Sequence, residues 1–233
     1  MSKKGLWPKA IFYDSKTTLF DWGIKWIEAS KRILEHYGSS INPEEFKKTW
    51  NMFHTIENHR GAFGQYKEFQ TNNQTALMNT FNYYKIPGSP DDVKYMADLW
   101  KEVQPFPDVV SELKKQKEIT KVIICSNIET VYLQMMVEKL GDAQPDFLGD
   151  MQKAQASKPS PRAYYWVLNQ VGLEVKDVIY CARPQWDVQG AIALGMKSIW
   201  LNRGNEELQG VRPDHEAKDM YEVTSIIKDY IRL

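Results

Sequence analysis

The chain has 233 residues, 42% of them hydrophobic and 26% charged, enough apolar material for one large domain or for a core domain carrying a smaller insert. Its 30 basic and 30 acidic residues balance, with no long run of either sign, so neither a nucleic acid nor a membrane surface is an expected partner. No apolar stretch approaches the roughly 20 residues that cross a bilayer, and none of signal-peptide length follows the charged start Met1-Ser-Lys-Lys-Gly, so the expected location is cytoplasmic.

The first element is an apolar run, Ala10–Tyr13, that ends abruptly on Asp14 and is followed by small polar residues. In an α/β protein this pattern is a strand whose carboxyl end delivers a carboxylate to the mouth of a sheet, where ligands bind. Such a carboxylate can act as a nucleophile, hold a metal or cap the next turn. About one hundred residues without a strand pattern follow. Trp26, Ile27, Ser30, Ile33 and Leu34 recur at helical spacing up to Gly38. Asn42-Pro43-Glu44-Glu45 opens a second helix, continued by Phe46, Trp50, Phe53 and Ile56. Further helices are expected over 66–84 and 90–103, the latter begun by Ser89-Pro90, and Pro105 and Pro107 mark the return to the core. The expected organisation is a helical cap over 21–104, inserted into an α/β core of 1–20 and 105–233 and closing over Asp14.

Strands are expected at 121–125, 178–181 and 198–201, separated by helices over 129–140, 161–171 and 188–194. Gly141, Gly172 and Gly195 follow these three helices as caps. Such alternation predicts right-handed crossovers and a Rossmann-like parallel sheet flanked by helices. Cys125 and Cys181 each sit inside an apolar run with no CxxC partner, which favours buried core thiols over zinc or a disulfide. His54 and His59 are five apart and do not share a helical face, no HExxH occurs, and His36 and His215 read as surface residues.

Four strand ends carry polar side chains. Asp14 follows the first strand, Ser126-Asn127 the second, Lys158-Pro159 precedes a helix that contains Tyr164, and Trp186-Asp187 follows the strand over 178–181. All lie at one end of the expected sheet, so Asp14, Ser126, Lys158 and Asp187 should converge. The chemistry is coherent: a carboxylate nucleophile must stay ionised and aimed, which an adjacent ammonium and hydroxyl donors such as Thr18 and Ser126 achieve.

These motifs resemble the haloacid dehalogenase superfamily, and within it the L-2-haloacid dehalogenases, from Ala10 to about Gly204. That family's first motif reads Asp-x-x-Gly-Thr-Leu-Phe-Asp, and Asp14 to Asp21 matches it with Thr17 in place of Gly. Ser126-Asn127, Lys158-Pro159 and Tyr164 match the second and third motifs, Trp186-Asp187 the end of the fourth, and Trp200-Leu-Asn202-Arg203 resembles the closing strand. The resemblance implies that Asp14 attacks Cα of a small 2-substituted carboxylic acid, displaces its substituent and forms an ester that water hydrolyses. It implies a catalytic set of Asp14, Lys158 and Asp187, with Asp187 orienting water. It implies substrate contacts from Ser15, Lys16, Thr18, Trp22, Asn51, Ser126, Asn127 and Tyr164, and no metal or cofactor. Together with the aromatic-rich cap (Trp50, Phe53, Phe63, Tyr66, Phe69, Phe81, Tyr83 and Tyr84), it also implies a homodimer.

Three further departures from the family pattern involve four positions. Ala182 and Pro184 stand where a Ser and an Asn are usual, and Asn51 stands where a cap arginine receives the halide, with Arg60 the nearest cap arginine. Lys16 replaces the second aspartate of the superfamily's phosphatases, and a cation there opposes magnesium. Asn51 keeps open a second activity known in one relative, ring opening of azetidine-2-carboxylate, whose leaving group is an amine. A magnesium-dependent phosphatase and a non-catalytic binding protein rank below both.

Overall fold

Residues 7–97 and 99–232 are described in the computed structural model; the charged start lies outside them, as does Asp98 within the expected helix over 90–103. Six runs pair into one parallel sheet: β1 (Ala10–Tyr13), β2 (Lys121–Ser126), β3 (Phe147–Asp150), β4 (Val178–Ala182), β5 (Lys197–Leu201) and β6 (His215–Ala217). Their order is β3-β2-β1-β4-β5-β6. The chain therefore enters at the centre, winds out to one side, then returns and winds out to the other. Ligands bind where the winding reverses, beyond the carboxyl ends of β1 and β4. Register fixes that edge, since Tyr13 pairs with Ile124 on one side and Cys181 on the other.

Alternate strand residues feed two core layers. Ile11, Tyr13, Ile124 and Cys181 join one, whereas Phe12, Cys125, Tyr180 and Ala182 join the other. Helices cover both faces, which is why β1 and β4 are apolar throughout rather than alternating. The two free thiols thus point to opposite layers, and burial pushes both up, Cys125 to about 12, so neither is a nucleophile near neutral pH. The strands at β3 and β6 carry little sequence pattern. Phe147-Leu-Gly-Asp is four residues long with a glycine inside, and His215-Glu-Ala is a polar edge strand paired only with β5.

Between β1 and β2 the cap runs through α1 (Trp22–His36), α2 (Pro43–Ala62), α3 (Phe69–Tyr84) and the short α4 (Lys94–Ala97). The Asp21 carboxylate caps α1 by accepting from the Ile24 amide, and the Asn42 side chain accepts from the Glu44 and Glu45 amides at the start of α2. The helix expected over 90–103 is instead a 3-10 turn (Pro90–Val93), α4 and a second 3-10 turn (Trp100–Glu102). Trp100 is wedged between Trp22 and Tyr132, its ring centroids 3.9 and 4.9 Å away, and holding that stack takes precedence over a regular helix. Trp22, Trp50, Trp100 and Trp200 are all fully buried. Each removes on the order of 200 Å² from water, a gross stabilisation of about 5 kcal/mol.

The core continues through α5 (Val109–Ile119), α6 (Thr130–Val137, prolonged as a 3-10 turn over Glu138–Ala143), α7 (Met151–Ala154) and α8 (Pro161–Val171). It closes with α9 (Gln185–Ala193) and α10 (Met220–Arg232), the latter packing Val223 and Ile227 against the sheet. Gly172 ends α8 at φ +65°, the left-handed region that its missing side chain permits. Among the described residues no helix is long and apolar enough to cross a membrane.

Candidate active site

Asp14 is the first residue beyond β1, and its amide donates to the Cys181 carbonyl at 3.2 Å, which ties the strand end to β4. The chain then turns tightly, with the Leu19 and Phe20 amides both donating to the Ser15 carbonyl. Thr17 takes φ +61° inside this turn. That is the position where the family pattern has glycine, and a β-branched residue there costs about 1–2 kcal/mol. The turn brings the Thr18 hydroxyl back to donate to Asp14 Oδ2 at 2.9 Å, while Thr18 Oγ1 itself accepts from the Arg183 amide at 3.0 Å.

Lys158 Nζ is fully buried and spends its three protons on Asp14 Oδ1 (3.0 Å), Tyr180 Oη (2.8 Å) and Asp187 Oδ2 (2.6 Å). Asn127 fixes the backbone beneath it: its Oδ1 accepts from the Lys158 amide at 2.8 Å and its Nδ2 donates to the Lys158 carbonyl at 3.0 Å. Burial opposes the charge on Lys158, yet Asp14 and Asp187 outweigh it and raise the pKa above the ordinary lysine value. The ammonium persists at neutral pH and offsets the desolvation of Asp14.

Asp187, at the first turn of α9, is fully buried. Its Oδ1 accepts from the Tyr164 hydroxyl at 2.6 Å, and its Oδ2 from Tyr180 at 2.9 Å and from Lys158. Burial raises its pKa, against which Lys158 and the Tyr164 hydroxyl pull it down. Burial and the Asp187 charge raise both tyrosines well above the usual phenol range, so both remain donors. Gly190 permits this packing, because a Cβ there would stand 2.5 Å from Tyr164 Oη and 2.8 Å from the Pro159 ring.

Above Asp14 lies a cavity of about 590 Å³ between core and cap, a size suited to a small ligand. Core residues Asp14, Lys16, Asn127, Pro184 and Trp186 meet cap residues Trp22, Trp26, Asn51, His54 and Asn58 in its wall. Lys16 Nζ lies 3.7 Å over the Phe69 ring. Burial draws its pKa down to about 7, opposed by Asp14 and Glu129 and assisted by Lys158. Trp22 is a wall residue, while Asn51 is exposed at the rim on α2. Arg60 is paired with Glu57 within α2 and is not part of the wall.

Several expected contacts fall elsewhere. The Ser126 and Ser15 hydroxyls pair with each other at 2.6 Å, neither lines the cavity, and Ser126 does not hold Asp14 as expected. That pairing braces β2 against the turn after β1. Tyr164, expected to touch substrate, stands behind Asp187, and Asp187, expected to orient water, is walled off because its oxygens are already engaged by Lys158, Tyr180 and Tyr164. Asp187 contacts Lys158 directly, and Tyr164 reaches it by way of Asp187. Tyr180 was not anticipated, although a phenol in the middle of a buried apolar strand must find a partner and is itself a clue. His54, which the spacing to His59 does not mark as a ligand, lines the cavity; burial, then Lys16, pushes its pKa well down, so it is neutral beside Asn58.

A divalent cation does not fit these residues. Lys158 occupies one Asp14 oxygen, Lys16 stands two residues on, the Asp187 oxygens are taken by Lys158, Tyr164 and Tyr180, and among the described residues no three His, Cys, Asp or Glu side chains gather as ligands.

A parallel sheet whose central strand ends on a lysine-paired aspartate beneath a helical cap defines a class of α/β proteins built around one carboxylate. A family model described as haloacid dehalogenase-like hydrolase matches residues 11–201, and the chain belongs to that family. Among curated relatives it is 27% identical over 173 residues to haloacetate dehalogenase H-2 of Moraxella sp. (strain B), covering 72% of this chain and 77% of that protein. It is 26% identical over 175 residues to the (S)-2-haloacid dehalogenase of Pseudomonas sp. (strain YL), covering 72% and 75%. The L-2-haloacid dehalogenase from Xanthobacter autotrophicus with chloropropionic acid covalently bound superposes with a TM-score of 0.79 over 94% of this chain and 98% of that one, at 20% identity. At that identity the likeness speaks for the fold.

Proposed function

We propose that this protein is a 2-haloacid dehalogenase-like hydrolase that displaces a substituent from Cα of a small 2-substituted carboxylic acid. The observation that carries this reading is the Asp14 carboxylate, held between the Lys158 ammonium and the Thr18 hydroxyl at the floor of a cavity closed by the cap. An Asp14 oxygen bonds to Cα as the carbon–halogen bond breaks, and the halide leaves with the electron pair. Water then adds to the Asp14 ester carbonyl and gives up a proton; collapse restores the carboxylate and releases the 2-hydroxy acid, which takes one up. Lys158 aims the Asp14 carboxylate for attack and steadies the charge that returns on collapse. Asn127 and the backbone amides after β1 and β2 hold the substrate carboxylate. The names of the curated relatives support the halide as leaving group.

Ring opening of a strained cyclic 2-amino acid stands second, favoured by Asn51, a neutral amide at the cavity rim. The test is chloride release from 2-chloropropionate in EDTA, beside azetidine-2-carboxylate. The dehalogenase reading expects chloride release that Asp14→Asn lowers at least about 1000-fold. Ring opening without chloride release would move the second reading to first place, and dependence on added magnesium would displace both.

The cap is assigned to 21–104 and the core to 1–20 and 105–233. A homodimer through the cap would cover Met52, Ile56 and Phe63 at α2 and Tyr83 on α3, which are exposed, Phe63 by 89%. Two free buried thiols suit a reducing compartment such as the cytoplasm.

A further inference from the structure

Four cations line the cavity, and two are committed. Arg203 makes two bonds to Asp108, at 2.8 and 3.0 Å, and Arg183 is paired with Glu206. Lys47 stands one helical turn before the exposed Asn51. Lys16 differs from all three. It leaves the core two residues after Asp14, yet its ammonium reaches the cap, against the Phe69 ring at the start of α3. It lies close enough to His54 on α2 to lower that imidazole's pKa. Among the described residues no carboxylate lies within ion-pair distance of it.

Displacement at carbon places nucleophile and leaving group on opposite sides of the reacting atom. Asp14 attacks from the sheet end, so the substituent departs toward the cap, where the wall offers His54 and the Lys16 ammonium, the latter backed by the Phe69 ring. We propose that Lys16 is the catalytic cation that receives the departing halide, doing from the core what the family pattern assigns to a cap arginine at the position of Asn51. This rests on the displacement at Cα proposed above. The halide leaves with the bonding pair and meets the ammonium as an ion pair, Lys16 keeping its proton throughout. The charged and titratable groups that face Lys16 are Asp14 beyond β1, Glu129 before α6, Lys158 before α8 and His54 on α2. His54 is neutral, so its charge does not compete for the halide.

The experiment is single-turnover halide release from 2-chloropropionate and 2-bromopropionate by the wild-type enzyme, Lys16→Met and Lys16→Arg, each across pH 5.5–9. Chloride, the poorer leaving group, should suffer more: Lys16→Met is expected to slow its release by about 100-fold and bromide release by about 10-fold, with substrate affinity within about threefold of wild type. Wild-type release should fall as pH rises through about 7, because the neutral amine offers no charge, and Lys16→Arg should move that alkaline limb out of range. A residue that merely supports the fold would leave the limb in place. Bromide inhibition of the wild-type enzyme gives a check that needs no variant, and it should weaken over the same pH range. Equal slowing of both halides with weakened substrate affinity would make Lys16 an anchor for the substrate carboxylate and overturn the proposal. So would a solvent isotope effect on the release step, which would make it a proton donor. A wild-type enzyme that releases halide from neither substrate would instead overturn the dehalogenase reading itself.

Discussion

At the scale of single residues, the site is two lysines with opposite electrostatics. Lys158 is fully buried, yet two carboxylates and a phenol accept its protons, and its pKa rises. Lys16 makes no ion pair among the described residues and sets its ammonium against an aromatic ring, and desolvation lowers its pKa to about 7. Partners and burial both differ: Lys158 is fully buried between carboxylates, whereas Lys16 is half-buried in the cavity wall. A lysine whose folded pKa lies below its unfolded value of about 10.4 binds fewer protons folded than unfolded between those two values, so its contribution to stability improves as pH rises. The cost of burying the Lys16 charge is therefore fully present below about pH 7 and gone above about pH 10. Lys16→Met should accordingly raise the midpoint of thermal unfolding at pH 6 and lose that advantage at pH 10. Equal effects at both pH values would mean that the ammonium is solvated. Asp14 was legible because it ends an apolar run, Thr18 because it lies in the polar turn that follows, and Lys158 because it precedes a proline and a helix start. Tyr180 escaped because an aromatic residue in a strand reads first as core.

At the scale of elements, the site depends on how closely α9 approaches α8. Gly190 leaves room for the Tyr164 hydroxyl to reach Asp187, and the Asp187 carboxylate in turn fixes Lys158. Gly190→Ala should push the Tyr164 ring aside, lower stability by about 1–3 kcal/mol and slow turnover although it touches no substrate. Adding Tyr164→Phe should cost little further, since the lost hydrogen bond is shared; fully additive losses by denaturant titration would contradict that coupling. Elements built on a continuous apolar or periodic pattern were the legible ones: β1, β2 and β4 were read close to their observed bounds, and so was α8. Those set by neighbours were not. The four residues of β3 include Gly149, whose missing Cβ lets Val167 of α8 approach, and the segment over 90–103 yields to the stacking of Trp100. Neither cause is visible before the chain is folded.

At the scale of the whole molecule, the cavity exists only because cap and core meet, with α2 supplying Asn51, His54 and Asn58 and the loops after β1, β2 and β4 supplying the chemistry. That convergence was readable from strand ends alone, but of the cap lining the family resemblance supplied Trp22 and Asn51 and missed Trp26, His54 and Asn58, because a helix bundle shows its inward face only once packed. The exposed apolar groups on α2 and α3 lead to a dimer whose mass by light scattering is twice that of the chain at micromolar concentration; a monomer mass throughout would refute it. The central claim is that Asp14 becomes an ester. It is tested most directly by a single turnover of 2-chloropropionate in heavy-oxygen water with enzyme in excess, followed by mass analysis of the Asp14 peptide and of the product. The account predicts heavy oxygen in the Asp14 carboxylate and ordinary oxygen in the first 2-hydroxy acid released, with label reaching product in later turnovers. Heavy oxygen in that first product, with Asp14 unlabelled, would mean that water attacks Cα directly and would contradict it.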